Sequence, residues 1–326
     1  MNEKLKPLSN STAIKNDSLK HSSLVLTGRQ VCDLELLMNE GFRPLKGFMN
    51  RQDYFSVLNN MRLSNGLLWP IPIVLDVNKK IGESFCVGEK LTLKNQEGFP
   101  LAILSINDIW KPNYNEEAHL VYGTTDPSHP GVSYILNRNE VYCLGGEIEN
   151  ISLPYHYDFQ KDRHTPKALK KIFKDKNWDK VVAFQTRNPM HKAHVKMTLE
   201  AVRDLKARLL IHPVIGETKP GDIDYFTRVR CYKMIMGEYP QDTAILSLLP
   251  LSMRMAGPRE AVWHALIRKN YGCTHLIVGR DHAGPGTDSK GSSFYGPYDA
   301  QNLLEKYQNE IGISIVQFKT MVYVPS

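Results

Sequence analysis

Long apolar runs are missing from this chain. No stretch approaches the roughly 20 residues that span a bilayer, and the N-terminal "MNEKLKPLSNSTAIKNDSLKHSS" lacks the apolar core of a secretory signal. Both absences direct the chain to the cytoplasm, with no membrane as partner. Cysteine is scarce: Cys32, Cys86, Cys143, Cys231 and Cys273 are odd in number, widely spaced and without a Cys-x-x-Cys pair. That argues against a disulfide framework and against a structural zinc site. The phosphate-loop pattern G-x-x-x-x-G-K-S/T does not occur, nor does an internal repeat, and nothing beyond the N-terminal arm is of low complexity.

The remainder is ordinary for a soluble globular protein. The 326 residues are enough for two cores, and 42% hydrophobic with 23% charged residues is typical of a globular chain. A formal net charge of +7 favours anionic partners. Its Lys and Arg residues are dispersed, and no aromatic-basic strand motif of an RNA-binding module appears, so an RNA-binding protein is the weaker class of reading.

Residues 1–23, rich in Ser, Asn and Lys, read as a flexible arm. Residues 24–160 carry short apolar runs broken by turn signals, "PIPIVLDV", "KLTLKN", "EGFPLAIL" and "EVYCLGG", and predict a β-rich domain with a helix or two, at Cys32 to Met38 and Arg51 to Arg62. In residues 161–326 the runs "KVVAF", "RLLIHPVI", "AILSLLPL", "HLIVG" and "ISIVQF" alternate with helical stretches such as Tyr225 to Glu238 and Pro258 to Asn270. Alternation of this kind predicts a parallel sheet covered on both faces, with ligands outside the carboxyl ends of its strands.

At two of those strand ends the chain gathers chemistry. "QTRNPMHKAH" (185–194) follows Val181 to Phe184. Asn188 suits an N-cap and Pro189 a first helical position, so a helix is predicted from Pro189 to about Lys206, with His191 and His194 on one face of its first turn. Free N–H groups there, the two imidazoles and Arg187 together predict a polyphosphate site. A metal held by the histidines is weaker, because no third ligand stands at a metal-like spacing. "HLIVGRDHAGPG" (275–286) repeats the arrangement, with small residues that let backbone N–H groups approach an oxyanion and with Arg280 and His282 to add charge. Two further stretches stay open. "MRMAGPREA" offers a helix start beside Arg254 and Arg259. In "ETKPGDIDYFTRVR", Asp222 and Asp224 would orient a metal, orient Arg228, or cap a helix beginning near Tyr225.

In order and spacing, "QTRNPMHKAH", "TKPGDIDYFTRVR", "MAGPREAVWHA", "GRDHAGPG" and "FYGPYDAQ", with "GFRPLKGFM", "WPIPIVLDV" and "DPSHPGV" before them, resemble the motifs of the ATP sulfurylase (sulfate adenylyltransferase) family. The resemblance implies a PUA-like β domain followed by a Rossmann-like nucleotidyltransferase domain of the His-x-x-His type. It also implies adenylyl transfer from ATP to sulfate, giving adenylylsulfate and pyrophosphate, or the reverse, with Mg²⁺ on the nucleotide and no protein-bound metal. Carried over position by position, Gln185, Arg187 and Ala283 hold sulfate. Thr186, Arg187 and Asn188 form the catalytic strip, and His191 and His194 stabilise the phosphates. Gln185, Asn188, His191, His194, Gly279, Arg280, Asp281, His282 and Val322 contact ATP. A homo-oligomer is expected, and nucleic acid is not. Family members usually continue past "SIVQFKTMVYV" into a small domain that closes over the site, so a lid is expected to be missing here. The near rival, a nucleotidyltransferase with another acceptor, is disfavoured by the oxyanion set Gln185, Arg187 and Ala283.

Overall fold

The computed structural model describes residues 11–138 and 140–318. Its first half comprises α1 (Ser11–Ser18), β1 (Ser23–Val25), α2 (Gly28–Met38), β2 (Gly47–Phe48), α3 (Arg51–Asn60), β3 (Leu75–Asn78), α4 (Lys79–Gly82), β4 (Lys90–Lys94), β5 (Pro100–Trp110), α5 (Tyr114–Tyr122), α6 (Pro130–Leu136) and β6 (Val141–Asn150). These strands make a six-stranded, mostly antiparallel sheet in the order β1-β4-β5-β6-β2, with β3 also paired to β6. Helices are more numerous here than the sequence reading expects. Each long one has its own start signal: at α2 the Thr27 hydroxyl accepts from Gln30 N (3.3 Å) while Gln30 Oε1 accepts from Thr27 N (3.0 Å), a capping box. Part of the expected flexible arm is also ordered, since α1 is tied down where Thr92 Oγ1 donates to Ser18 O at 2.7 Å and β1 pairs in parallel with β4.

The second half comprises α7 (Pro166–Asp175), β7 (Val181–Phe184), α8 (Lys192–Leu205), β8 (Arg208–Ile211), α9 (Tyr225–Ile235), β9 (Ala244–Leu246), α10 (Gly257–Asn270), β10 (His275–Val278), α11 (Asp299–Ile311) and β11 (Ser314–Gln317). The five strands are all parallel, in the order β11-β10-β7-β8-β9. Side chains alternate across such a sheet. Val182, Phe184, Leu209 and Ile211 accordingly pack on one face with Val195 and Val202 of α8 and Val229 of α9, while Val181, Ala183 and Leu276 pack on the other with α7, α10 and α11. Strand order reverses between β7 and β10, so the connections leaving these two neighbours part and leave a crevice at their carboxyl ends.

Helix α10 also joins the two halves. Trp263 is fully buried with its ring 5.3 Å from that of Phe42. Arg254, just before the helix, donates to Asp33 Oδ2 at 2.5 Å with both side chains buried. Arg259 donates to the carbonyls of Val57 (3.1 Å) and Leu58 (2.8 Å) at the end of α3. Arg254 and Arg259, which the sequence reading left open, therefore brace the second half against helices α2 and α3 of the first. No helix among the described residues is long and apolar enough to cross a membrane.

Candidate active site

The crevice between β7 and β10 collects both sequence motifs. Gln185 to His191 leave β7 as an irregular loop, and α8 begins at Lys192 with His191 as its N-cap. This corrects the expected start: Asn188 does not cap the helix and Pro189 is not its first residue. The Thr186 hydroxyl is the reason, because it accepts from Asn188 N at 3.1 Å and donates to Asn188 O at 2.9 Å, closing a local turn that competes with helix. Tyr232 of α9 donates to the same Asn188 carbonyl at 2.8 Å. His191 and His194 remain neighbours, with ring centroids 4.0 Å apart and His191 N donating to His194 Nδ1 at 3.3 Å. Desolvation first, and then the neighbouring His191, lower the His194 imidazole from its ordinary value.

Arg187 is less exposed than a loop position suggests. Its side chain is 16% accessible, and its NH1 donates to both Asp222 oxygens at 2.6 Å. NH2 points to Gly284 O at 3.4 Å, across the crevice. Asp222 thus orients Arg187, while Arg228 is held by the carbonyls of Arg187 (3.1 Å) and Val214 (3.0 Å). Asp224 caps α9 through Thr227 N at 2.9 Å, one of the roles the sequence left open. Burial pushes the Asp222 carboxyl up, but the hydrogen bond and charge of Arg187 outweigh it and hold the group below its ordinary value. Lys219, on the same loop, donates to Pro285 O at 3.1 Å and so ties this loop to the far wall. Gln185, at the floor, has a buried Oε1 that finds no hydrogen-bond partner among the described residues and an Nε2 that donates weakly to Met253 Sδ at 3.9 Å.

The far wall is Gly279 to Gly286. Asp281 and Ala283 both adopt left-handed backbone, φ 52° and 56°, at a cost of about 1–2 kcal/mol each for residues with a Cβ. A Cβ at Gly284 would lie 1.9 Å from Asp281 Oδ1, so any side chain there would turn the Asp281 carboxylate aside. Arg280 and Asp281 are exposed at the lip, while His282 turns inward. Its Nε2 lies 3.0 Å from Nδ1 of His264, a fully buried residue of α10. Desolvation first, then the neighbouring His264 and Arg268, beside which a further positive charge is disfavoured, push the His282 imidazole down to about 3. The expected charged role for His282 is thereby corrected: the ring is neutral at any physiological pH. His264 lies within the stretch "MAGPREAVWHA", but the sequence reading gave it no role, and its i, i+4 spacing from Glu260 was the signal that could have found it. Val322 lies outside the described residues.

Thus Gln185, Thr186, Arg187, Asn188, His191 and His194 share one wall and Gly279, Arg280, Asp281, His282 and Ala283 the other, with Arg187 reaching between them. Among the described residues the arrangement offers cationic and N–H donors, with the Asp281 carboxylate at the lip, and no acid–base pair poised on a nucleophile. Among the described residues, no group of three or more His, Cys, Asp or Glu gathers as metal ligands would.

Comparison with known proteins agrees with this architecture. Residues 2–153 match the PUA-like domain model and residues 160–326 the ATP-sulfurylase model. The chain is 52% identical over 318 residues to sulfate adenylyltransferase of Eremothecium gossypii, covering 96% of this chain and 63% of that one. It is 51% identical to the Saccharomyces cerevisiae sulfate adenylyltransferase, again over 96% of this chain and 63% of the other. A solved structure described as hexameric APS kinase from Thiobacillus denitrificans superposes with a TM-score of 0.77 at 31% identity, over 97% of this chain and 55% of that one. The chain spans about three-fifths of the length of the curated relatives it matches. With the ATP-sulfurylase model matched across its whole second half, and the crevice built from the loops that carry the motifs, the chain belongs to the ATP-sulfurylase family.

Proposed function

We propose that this chain carries the catalytic apparatus of a sulfate adenylyltransferase, joining sulfate to the α-phosphorus of ATP to give adenylylsulfate and pyrophosphate, or running the reverse. The observation that carries the reading is Arg187: a guanidinium held by Asp222 at the floor of a switch-point crevice, facing Gly284 beside Ala283. Sulfate would be bound by Arg187, by the incompletely used amide of Gln185 and by the backbone N–H of Ala283. The polyphosphate would lie over His191, His194 and the start of α8, where unpaired N–H groups favour anions. Asn188 and Gly279 to His282 would flank the nucleotide. Thr186 has its hydroxyl committed to the Asn188 turn and would shape the strip rather than attack.

Sulfate is already ionised near neutral pH, so no base is needed, and catalysis reduces to positioning two anions and stabilising charge on the α-phosphoryl oxygens and the departing pyrophosphate. Magnesium fits this site as a companion of the nucleotide. Apart from Asp281 at the lip and Asp222, already engaged by Arg187, the groups lining the crevice are cations and N–H donors, so phosphate oxygens and water would supply most of its ligands and its charge would lower the repulsion between the two anions. A homo-oligomer belongs to the same reading, supported by the hexameric description of the matching solved structure.

Direct attack and a covalent adenylyl-enzyme differ in exchange behaviour. With direct attack, labelled pyrophosphate enters ATP only when sulfate is present. Exchange with ATP and Mg²⁺ alone, abolished in Thr186→Val or His191→Ala, would sink the direct route. Absence of sulfate-dependent pyrophosphate release, from this chain and from a longer one spanning the full length of its relatives, would end the assignment itself.

A further inference from the structure

Behind the wall that carries His282 runs a line of buried groups on one helix. Glu260 and His264 are both fully buried, one turn apart on α10, and His264 Nε2 lies 3.2 Å from Glu260 Oε1. The alignment at this contact is poor for a hydrogen bond, so it acts as a charge–dipole contact. On its other edge, His264 Nδ1 meets His282 Nε2 at 3.0 Å. Glu260 is itself fixed, because Oε1 accepts from Arg254 N at 3.0 Å and Oε2 from Ala256 N at 2.8 Å.

Two neutral imidazoles whose nitrogens meet at this distance share a single hydrogen, and it has two possible owners. If His264 Nδ1 donates, His264 Nε2 is a bare lone pair turned toward a buried carboxylate, and the two repel in a medium that screens little. If His282 Nε2 donates, His264 Nε2 carries its hydrogen and presents it to Glu260. Burial raises the Glu260 carboxyl, and its two backbone N–H bonds and the nearby Arg254 oppose that rise without cancelling it; the geometry nonetheless favours the carboxylate, because backbone N–H groups occupy both oxygens and a proton on either would compete with those donors. The buried guanidinium of Arg268 stands near both rings and disfavours a second positive charge between them.

We infer that His264 is a positioning residue: backed by Glu260, it fixes His282 as the Nε2–H tautomer, so that the loop after β10 offers the nucleotide an imidazole acceptor at Nδ1 rather than a cation. The ligand it suits is an N–H or O–H donor of the nucleoside, not a phosphate oxygen. This last clause rests on the adenylyl-transfer reading, whereas the tautomer does not.

Long-range ¹H–¹⁵N spectra of the imidazole groups in the full chain test the tautomer directly, with the His282 signals identified by their loss in His282→Gln. The expected result between pH 6 and 8 is an unprotonated Nδ1 and a protonated Nε2. In His264→Leu this preference should be lost or reversed, and His264→Asn, whose carbonyl oxygen stands where Nδ1 was, should restore it. Kinetically, His264→Leu should raise KM for ATP by about three- to tenfold, the scale of one lost hydrogen bond, with kcat less affected and His264→Asn near the parent value. An Nδ1–H tautomer in the unaltered chain overturns the inference without any variant. So does a folded His264→Leu whose His282 spectrum is unchanged. An unaltered chain that turns over no sulfate would count against adenylyl transfer, and the tautomer spectrum would still decide this inference.

Discussion

Asp222 gives Arg187 a partner before any substrate arrives, and this shapes what substitution there will do. Arg187→Ala should lower turnover on the order of 10²–10³-fold, the cost of removing a preorganised donor to a developing charge. Because Asp222 is left largely buried without its cation, stability should also fall, by about 1–3 kcal/mol. Arg187→Lys should recover little, since a single ammonium cannot span Asp222 and the Gly284 carbonyl as the guanidinium fork does. Sulfate-dependent pyrophosphate release and a melting curve measure the two effects, and near-normal turnover in Arg187→Ala would remove the residue from the mechanism. The residue types of this site were legible in the sequence because a strand followed by Arg, Asn and two His is an uncommon combination. The Arg187–Asp222 pair was not, because it joins loops that follow different strands and only the folded sheet order brings them together. The His264–His282 contact was hidden for the same reason, a helix from one stretch lying behind a loop from another.

At the scale of elements, the parallel sheet was the most legible part: its five strands fall inside the five apolar runs, and α9 and α10 begin within a residue of their expected starts. Errors cluster where a side chain outvotes a local propensity. The Thr186 hydroxyl delays α8 past Pro189, and "PIPIVLDV" yields strand only from Leu75 because its prolines cannot donate to a ladder. Helices of the first half were missed because their apolar positions interleave with short strands at similar spacing. The start of α10 shows how tightly such an element is set. Gly257 has φ 46° and its N donates to Ala283 O at 3.2 Å, which ties the helix to the far wall of the crevice. A Cβ at this position would lie 2.4 Å from the Tyr295 ring. Gly257→Ala should therefore cost about 1–3 kcal/mol as an overpacked site and lower activity through the displaced Gly279 to Gly286 loop. A variant with unchanged melting temperature and turnover would show that the helix start does not hold the loop.

Across the whole molecule, buried neutral histidines set the response to acid. Burial first of all pushes His129 down to about 4 and His282 to about 3, and holds His212 and His264 well below the usual range. In the unfolded chain these rings bind protons near pH 6.5, in the folded chain only far lower. The unfolded state thus binds more protons through this window, and stability is complete above about pH 6.5 and falls as pH drops toward 4, by up to about 1.4 kcal/mol per pH unit for each ring. Melting temperatures recorded from pH 7.5 down to 5 should decline steadily, and a flat profile would contradict the neutral assignment. Another property follows from the way α10 braces both sheets. One continuous apolar core contains Phe42, Trp69 and Leu104 of the first half together with Trp263, Leu276 and Leu304 of the second. The seam at which the matched models divide the chain is therefore no seam in folding. Heating should give a single calorimetric transition whose van't Hoff and calorimetric enthalpies agree, and residues 160–326 produced alone should precipitate or bind a hydrophobic dye, because the face that carries Met253, Met255 and Trp263 would meet water instead of its other half.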